Sequence, residues 1–111
     1  MRHLLLLALL AGCAGPQGAR CGPSQAVVEN ASSQPIEQLY LSPEGGPDSA
    51  ADLLGQSPPL PTPGSMPVTL EGRGPYRLRL VWVTGRASEL GNIDGCRTRR
   101  ITIRDGILQA G

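Results

Sequence analysis

The chain has 111 residues, with ten Arg, no Lys, nine acidic residues and a formal charge of +1, which is enough for one small domain. Its one His is His3, so residues 13–111 hold neither Lys nor His, and His-based triads, Schiff-base lysines and His-ligated metals are excluded from that stretch. The same stretch is close to neutral, which argues against a nucleic-acid partner held by bulk charge. Gly and Pro are abundant, at 15 and 11 residues, yet the apolar residues cluster into alternating runs and net charge is small. A loop-rich folded domain is expected in preference to a disordered chain.

Met1-Arg2-His3 is a short positive stretch, and residues 4–10 are only Leu and Ala. A run this short cannot span a roughly 30 Å hydrocarbon layer, which takes about 20 residues, and it suits the core of a signal peptide. Leu10-Ala11-Gly12-Cys13 follows at once. In these residues the chain resembles bacterial lipoprotein precursors, whose lipobox ends in the Cys. The resemblance implies removal of residues 1–12, a diacylglyceryl group on the Cys13 thiol and acylation of its new α-amino group. The alternative reading is an ordinary secretory peptide cut near Ala14. Two or more acyl chains hold a protein on a bilayer without a spanning helix. Ala14 stands where an Asp would imply the inner membrane, so the resemblance implies lipid anchoring to the outer membrane.

Three cysteines are an odd number for an exported chain. With Cys13 lipidated, Cys21 and Cys96 are left to form a disulfide in an oxidising periplasm; two unrelated free thiols are the alternative. A bridge closing so long a loop contributes on the order of 4 kcal/mol in the chain-entropy model. Residues 13–25 (CAGPQGARCGPSQ) lack apolar periodicity and are expected to form a flexible tether, with the domain occupying 26–111.

Residues 26–29 (AVVE) predict a first strand, stopped by the turn formers Asn30-Ala31-Ser32-Ser33. Asn30-Ala31-Ser32 also fits the glycosylation sequon, without meaning in a bacterial chain. A second strand is predicted at 36–41 (IEQLYL), ended by Ser42-Pro43-Glu44-Gly45-Gly46-Pro47. Residues 48–54 predict about two turns of helix, with Asp48 or Ser49 as cap and Gly55 as its end. Residues 57–64 (SPPLPTPG) are read as a rigid extended connector; the spacing of Pro58 and Pro61 also matches proline-motif recognition. Residues 66–70 predict a strand that Pro67 confines to a sheet edge. Residues 76–84 (YRLRLVWVT) form the strongest strand candidate, expected to be central, with Tyr76, Leu78, Leu80 and Trp82 on one face. Residues 85–95 are read as a long loop, 97–104 as the last strand with Ile101 and Ile103 facing in, and 107–111 as a tail. Five or six short strands with Pro/Gly-rich links imply an all-β domain, a small β-sandwich or partly open barrel with at most one short helix.

Over residues 26–104 the order NAS…IEQLYLSP, DLLG, LPTPGS and YRLRLV is similar to a group of short exported bacterial domains of uncharacterised function. That pattern carries Trp-Gly ahead of Asp-Leu-Leu, where this chain has Ser49 and Ala50, and Tyr-Asp where it has Tyr76-Arg77. It offers no function to transfer.

Glu44, Asp48 and Asp52 lie close together, but helix capping and solvation explain them better than acid–base chemistry, because nothing nearby would bury them. Asn92 and Asp94 offer hard oxygens to Ca²⁺ without EF-hand spacing, so neither a metal nor a cofactor is expected. Serines have no base to activate them, and no enzyme is expected. Charge is split: residues 13–72 carry one Arg against six acids, net −5, and residues from 73 onward carry eight Arg against three acids, net +5. Pairing between the halves is the favoured reading, with an external anion as the other. If strands 76–84 and 97–104 are neighbours, Arg77, Arg79, Arg100 and Arg104 share one face and make a candidate site for a phosphate or carboxylate partner. Solvated arginines balanced by Glu29 or Glu37 are the plainer reading. The leading expectation is an outer-membrane lipoprotein with a non-catalytic binding or structural role in the envelope. The alternatives are a periplasmic hydrolase inhibitor, using loops 42–66 or 85–95, and an accessory subunit of an envelope secretion or assembly machine.

Overall fold

The computed structural model describes residues 21–46 and 50–111. The expected signal segment, the expected lipidation site Cys13, most of the expected tether and the expected Asp48/Ser49 cap lie outside the described residues. The fold is all-β, a small sandwich of seven strands among the described residues: β1 (Pro23–Asn30), β2 (Ile36–Pro43), β3 (Gly64–Glu71), β4 (Tyr76–Trp82), β5 (Ala87–Ile93), β6 (Arg100–Arg104) and β7 (Ile107–Ala110). One sheet has the order β3-β1-β6-β7 and the other β2-β4-β5; all pairs are antiparallel except β1 with β6.

Period-two alternation builds the core. Val28, Leu70, Ile101 and Ile103 of the first sheet and Leu39, Leu78, Leu80 and Ile93 of the second are buried between the sheets. The expected inward face of β4 is observed, with Tyr76 packing at its margin, and β4 is the central strand of its sheet. Pro67 lies in an edge strand, β3, where its missing N–H interrupts no ladder on the open side.

Several elements differ from expectation. Residues 85–95 form a tight turn and then β5, which pairs along β4 despite having only Leu90 and Ile93 as large apolar residues. Gly91 and Asn92, which read as loop residues, occupy an irregularity in that pairing. Asn92 adopts φ 56° there, and a Cβ on Gly91 would lie 2.5 Å from Glu44 Oε2. Residues 107–111 are not a tail: Asp105-Gly106 is a two-residue hairpin loop, and Arg104 lies opposite Ile107. Gly106 takes φ +80° in this loop, a conformation that suits glycine. The described part of the predicted helix is a turn. The Asp52 carboxylate accepts from Leu54 N at 3.0 Å and from Leu39 N at 2.9 Å, fastening this loop along the edge of β2. Leu60 extends the cover through a bridge to Ile36.

Cys21 and Cys96 form a disulfide, as the cysteine parity predicted, with Cα atoms 5.5 Å apart. Pro23, Ser24 and Gln25, expected in the tether, already belong to β1, and Ser24 Oγ donates to Gly95 O at 3.0 Å.

Candidate functional site

β1, β4 and β6 all run from the disulfide end of the sandwich to the other end. Cys21 and Cys96 precede β1 and β6, which are parallel neighbours, and Tyr76 at the start of β4 pairs with Ile93 beside the Asp94–Cys96 turn. At about 3.3 Å per residue, the eight residues of β1 separate the two poles by roughly 26 Å.

The far pole is made of three turns, 31–35, 83–86 and 105–106, which enclose a cleft of about 410 Å³ lined by Ser33, Gln34, Trp82, Thr84, Arg86 and Asp105. Trp82 ends β4 and is 9% exposed. Its indole N–H donates to Ser32 Oγ at 2.9 Å, and the Ser32 hydroxyl donates in turn to Asn30 Oδ1 at 2.6 Å. Asn30 is fully buried at the end of β1. Its amide N–H groups reach the carbonyls of Gln34, Leu60 and Pro61 at 3.0, 3.1 and 3.2 Å, while Oδ1 also accepts from Ser32 N at 3.1 Å. Thr62 Oγ1 donates to Ser32 O. No buried side-chain polar atom among the described residues lacks a partner, so the network that shapes the cleft floor is fully satisfied. The sequon-like Asn30 is thus a structural residue, inaccessible in the folded chain.

Above this floor, Asp105 Oδ1 accepts from both Ser33 N and Ser33 Oγ at 3.0 Å, stapling the first turn to the β6–β7 hairpin. The 83–86 turn is closed by Trp82 N to Arg86 O at 2.8 Å, with Gly85 at φ +91°. Arg86 lines the same cleft as Asp105, yet among the described residues no carboxylate lies at ion-pair distance from its guanidinium.

The four candidate arginines are not brought together. β4 and β6 lie in different sheets, and their apolar faces meet across the core instead of side by side. Arg77 and Arg79 therefore point out from one sheet, and Arg100 and Arg104 from the other, so no four-guanidinium face exists. The reason is that β6 finds its hydrogen-bonding partner in β1, with Val28 opposite Ile101. Arg77 faces Glu44 at 3.7 Å, Arg100 faces Glu29 at 3.4 Å, and Arg104 donates to Gln109 Oε1 at 3.3 Å. Arg79 is placed between Tyr40 and Glu89 on the neighbouring strands. The pairs formed by Glu29 and Glu44 join the acidic half of the chain to the basic half.

Asp94 spends both carboxylate oxygens internally, on Cys96 N at 2.8 Å and on Arg73 Nη1 at 2.9 Å. Asn92 N donates to Glu44 Oε2 at 2.9 Å. The loop proposed for insertion at 85–95 is mostly the strand β5. Sequence reasoning missed the cleft, although one signal was available: the single Trp of the chain ends the strongest strand, beside a turn that carries Arg86. The chain matches no family model, no curated protein and no solved structure.

Proposed function

We propose that this chain is a lipid-anchored, non-enzymatic component of the outer membrane whose β-sandwich binds a partner in the envelope. Leu10-Ala11-Gly12-Cys13 supplies the anchor, and residues 14–20 the tether. Fully extended, those seven residues reach at most about 25 Å, which keeps the disulfide pole close to the bilayer. The single observation carrying the reading is the Cys21–Cys96 bridge. It accounts for two of the three thiols and leaves Cys13 for modification, and it ends the tether at the pole remote from the cleft. A satisfied polar network under that cleft fits a preorganised binding surface. Residues 13–111 hold no Lys or His, so no imidazole or amine is present there to activate a Ser hydroxyl, which supports the non-enzymatic reading.

Fractionation of cells expressing the full chain and its Cys13→Ser variant tests the anchor. We expect the parent in the membrane fraction and the variant in the soluble fraction. A variant that stays on the membrane would refute lipid attachment through Cys13.

A further inference from the structure

We infer that the cleft at the far pole takes a saccharide. The inference rests on reading the sandwich as a binding domain and adds the chemical class of its ligand. Arg86 and Asp105 both line the cleft and form no ion pair among the described residues, so each has capacity for an outside partner. Asp105 Oδ1 is committed to Ser33, which fixes the carboxylate and leaves Oδ2 to accept. Thr84 Oγ1 accepts from Arg86 N at 3.5 Å and keeps its own proton to donate. With Gln34, the wall thus offers donors and acceptors of both senses around Trp82, which is 9% exposed.

A sugar ring matches this set. Neighbouring hydroxyls donate to a carboxylate and accept from a planar guanidinium, and the C–H edge beside them packs on an aromatic side chain. A bare anion drawn to Arg86 would sit beside the like charge of Asp105. A zwitterionic amino acid or peptide end would meet both charges but leave the hydroxyl and amide row unused. The volume of about 410 Å³ falls in the roughly 300–1,000 Å³ range of small-ligand sites. Because the network from Asn30 to Trp82 holds the floor rigid, little ordering cost attends binding.

Trp82 is the only tryptophan in the chain and therefore a specific reporter. The purified full chain, in detergent, is titrated with diacetylchitobiose, lactose and glucuronic acid, and separately with D-alanyl-D-alanine and inorganic phosphate. We expect saturable change in Trp82 emission with at least one saccharide at millimolar concentration. Arg86→Ala and Asp105→Asn should each weaken it by about tenfold or more, the loss of one charged hydrogen bond. Asp105→Asn keeps the Oδ1 acceptor for Ser33, and Arg86 contributes only backbone bonds to its turn, so both variants should melt with the parent. Saturation by the dipeptide or phosphate alone, no saturation by any saccharide, or binding unchanged in both variants would overturn the inference. Anchoring is scored separately by release of Cys13→Ser, so failure of saccharide binding refutes the ligand class and leaves the anchor reading standing.

Discussion

Asn30 ties the end of β1 both to the turn that follows it and to a connector 30 residues away. Its amide bridges the 31–35 turn and the Leu60–Pro61 connector, and its carbonyl orients Ser32 beneath Trp82. Removing the side chain strands buried donors and acceptors, each costing roughly 1–3 kcal/mol. Asn30→Ala should therefore lower stability by about 3 kcal/mol, read as a shift of the urea midpoint, and alter Trp82 emission as Ser32 loses its partner. A near-neutral effect with unchanged emission would show that the network does not hold the cleft. The surface arginines belong to the opposite regime: exposed pairs such as Arg100–Glu29 are worth about 0–1 kcal/mol each. The sequence identified Asn30 as a turn former but gave no sign of its burial, because two of the three carbonyls it meets come from residues 60 and 61, and such contacts leave no periodic trace.

At the level of elements, legibility followed hydrophobic alternation. β2, β3 and β4 were readable because Leu39, Val68, Leu70, Leu78 and Leu80 recur at period two, and the edge position of β3 was readable from Pro67. β5 was not, since an edge strand facing solvent needs few apolar residues, and Gly91 and Asn92 mimic a loop while serving an irregular pairing. The β6–β7 hairpin is legible in principle, because Asp-Gly between alternating residues is a strong two-residue turn signal, but the short segment 107–111 after it also reads as a tail. Sheet assignment was less accessible still. Apolar faces of β4 and β6 satisfy one another equally well side by side or across a core, and only the backbone partner of β6 decides. Gly106→Ala tests the hairpin: with φ +80° and open space around its Cα, only backbone strain is added. We expect a loss of about 1–2 kcal/mol, seen as a lower melting temperature. An unchanged melting temperature would mean that β7 contributes little to the fold.

For the whole molecule, one covalent link organises the rest. The Cys21–Cys96 bridge, 75 positions apart, closes most of the domain into a loop, worth on the order of 4 kcal/mol against the unfolded chain. It also fixes the polarity of the sandwich: chain entry at one end, and the cleft over Trp82 at the other, reached along β1, β4 and β6. Cysteine parity made the bridge legible from the sequence, whereas the cleft emerges only when three separate turns converge. In the proposed mature protein the three thiols divide into one lipidated cysteine and one disulfide. Intact mass of the protein extracted from membranes, without reductant, measures both at once. We expect a polypeptide beginning at Cys13, heavier by several acyl chains and lighter by the hydrogens of the Cys21 and Cys96 thiols. An unmodified polypeptide beginning at Ala14 or later would contradict it.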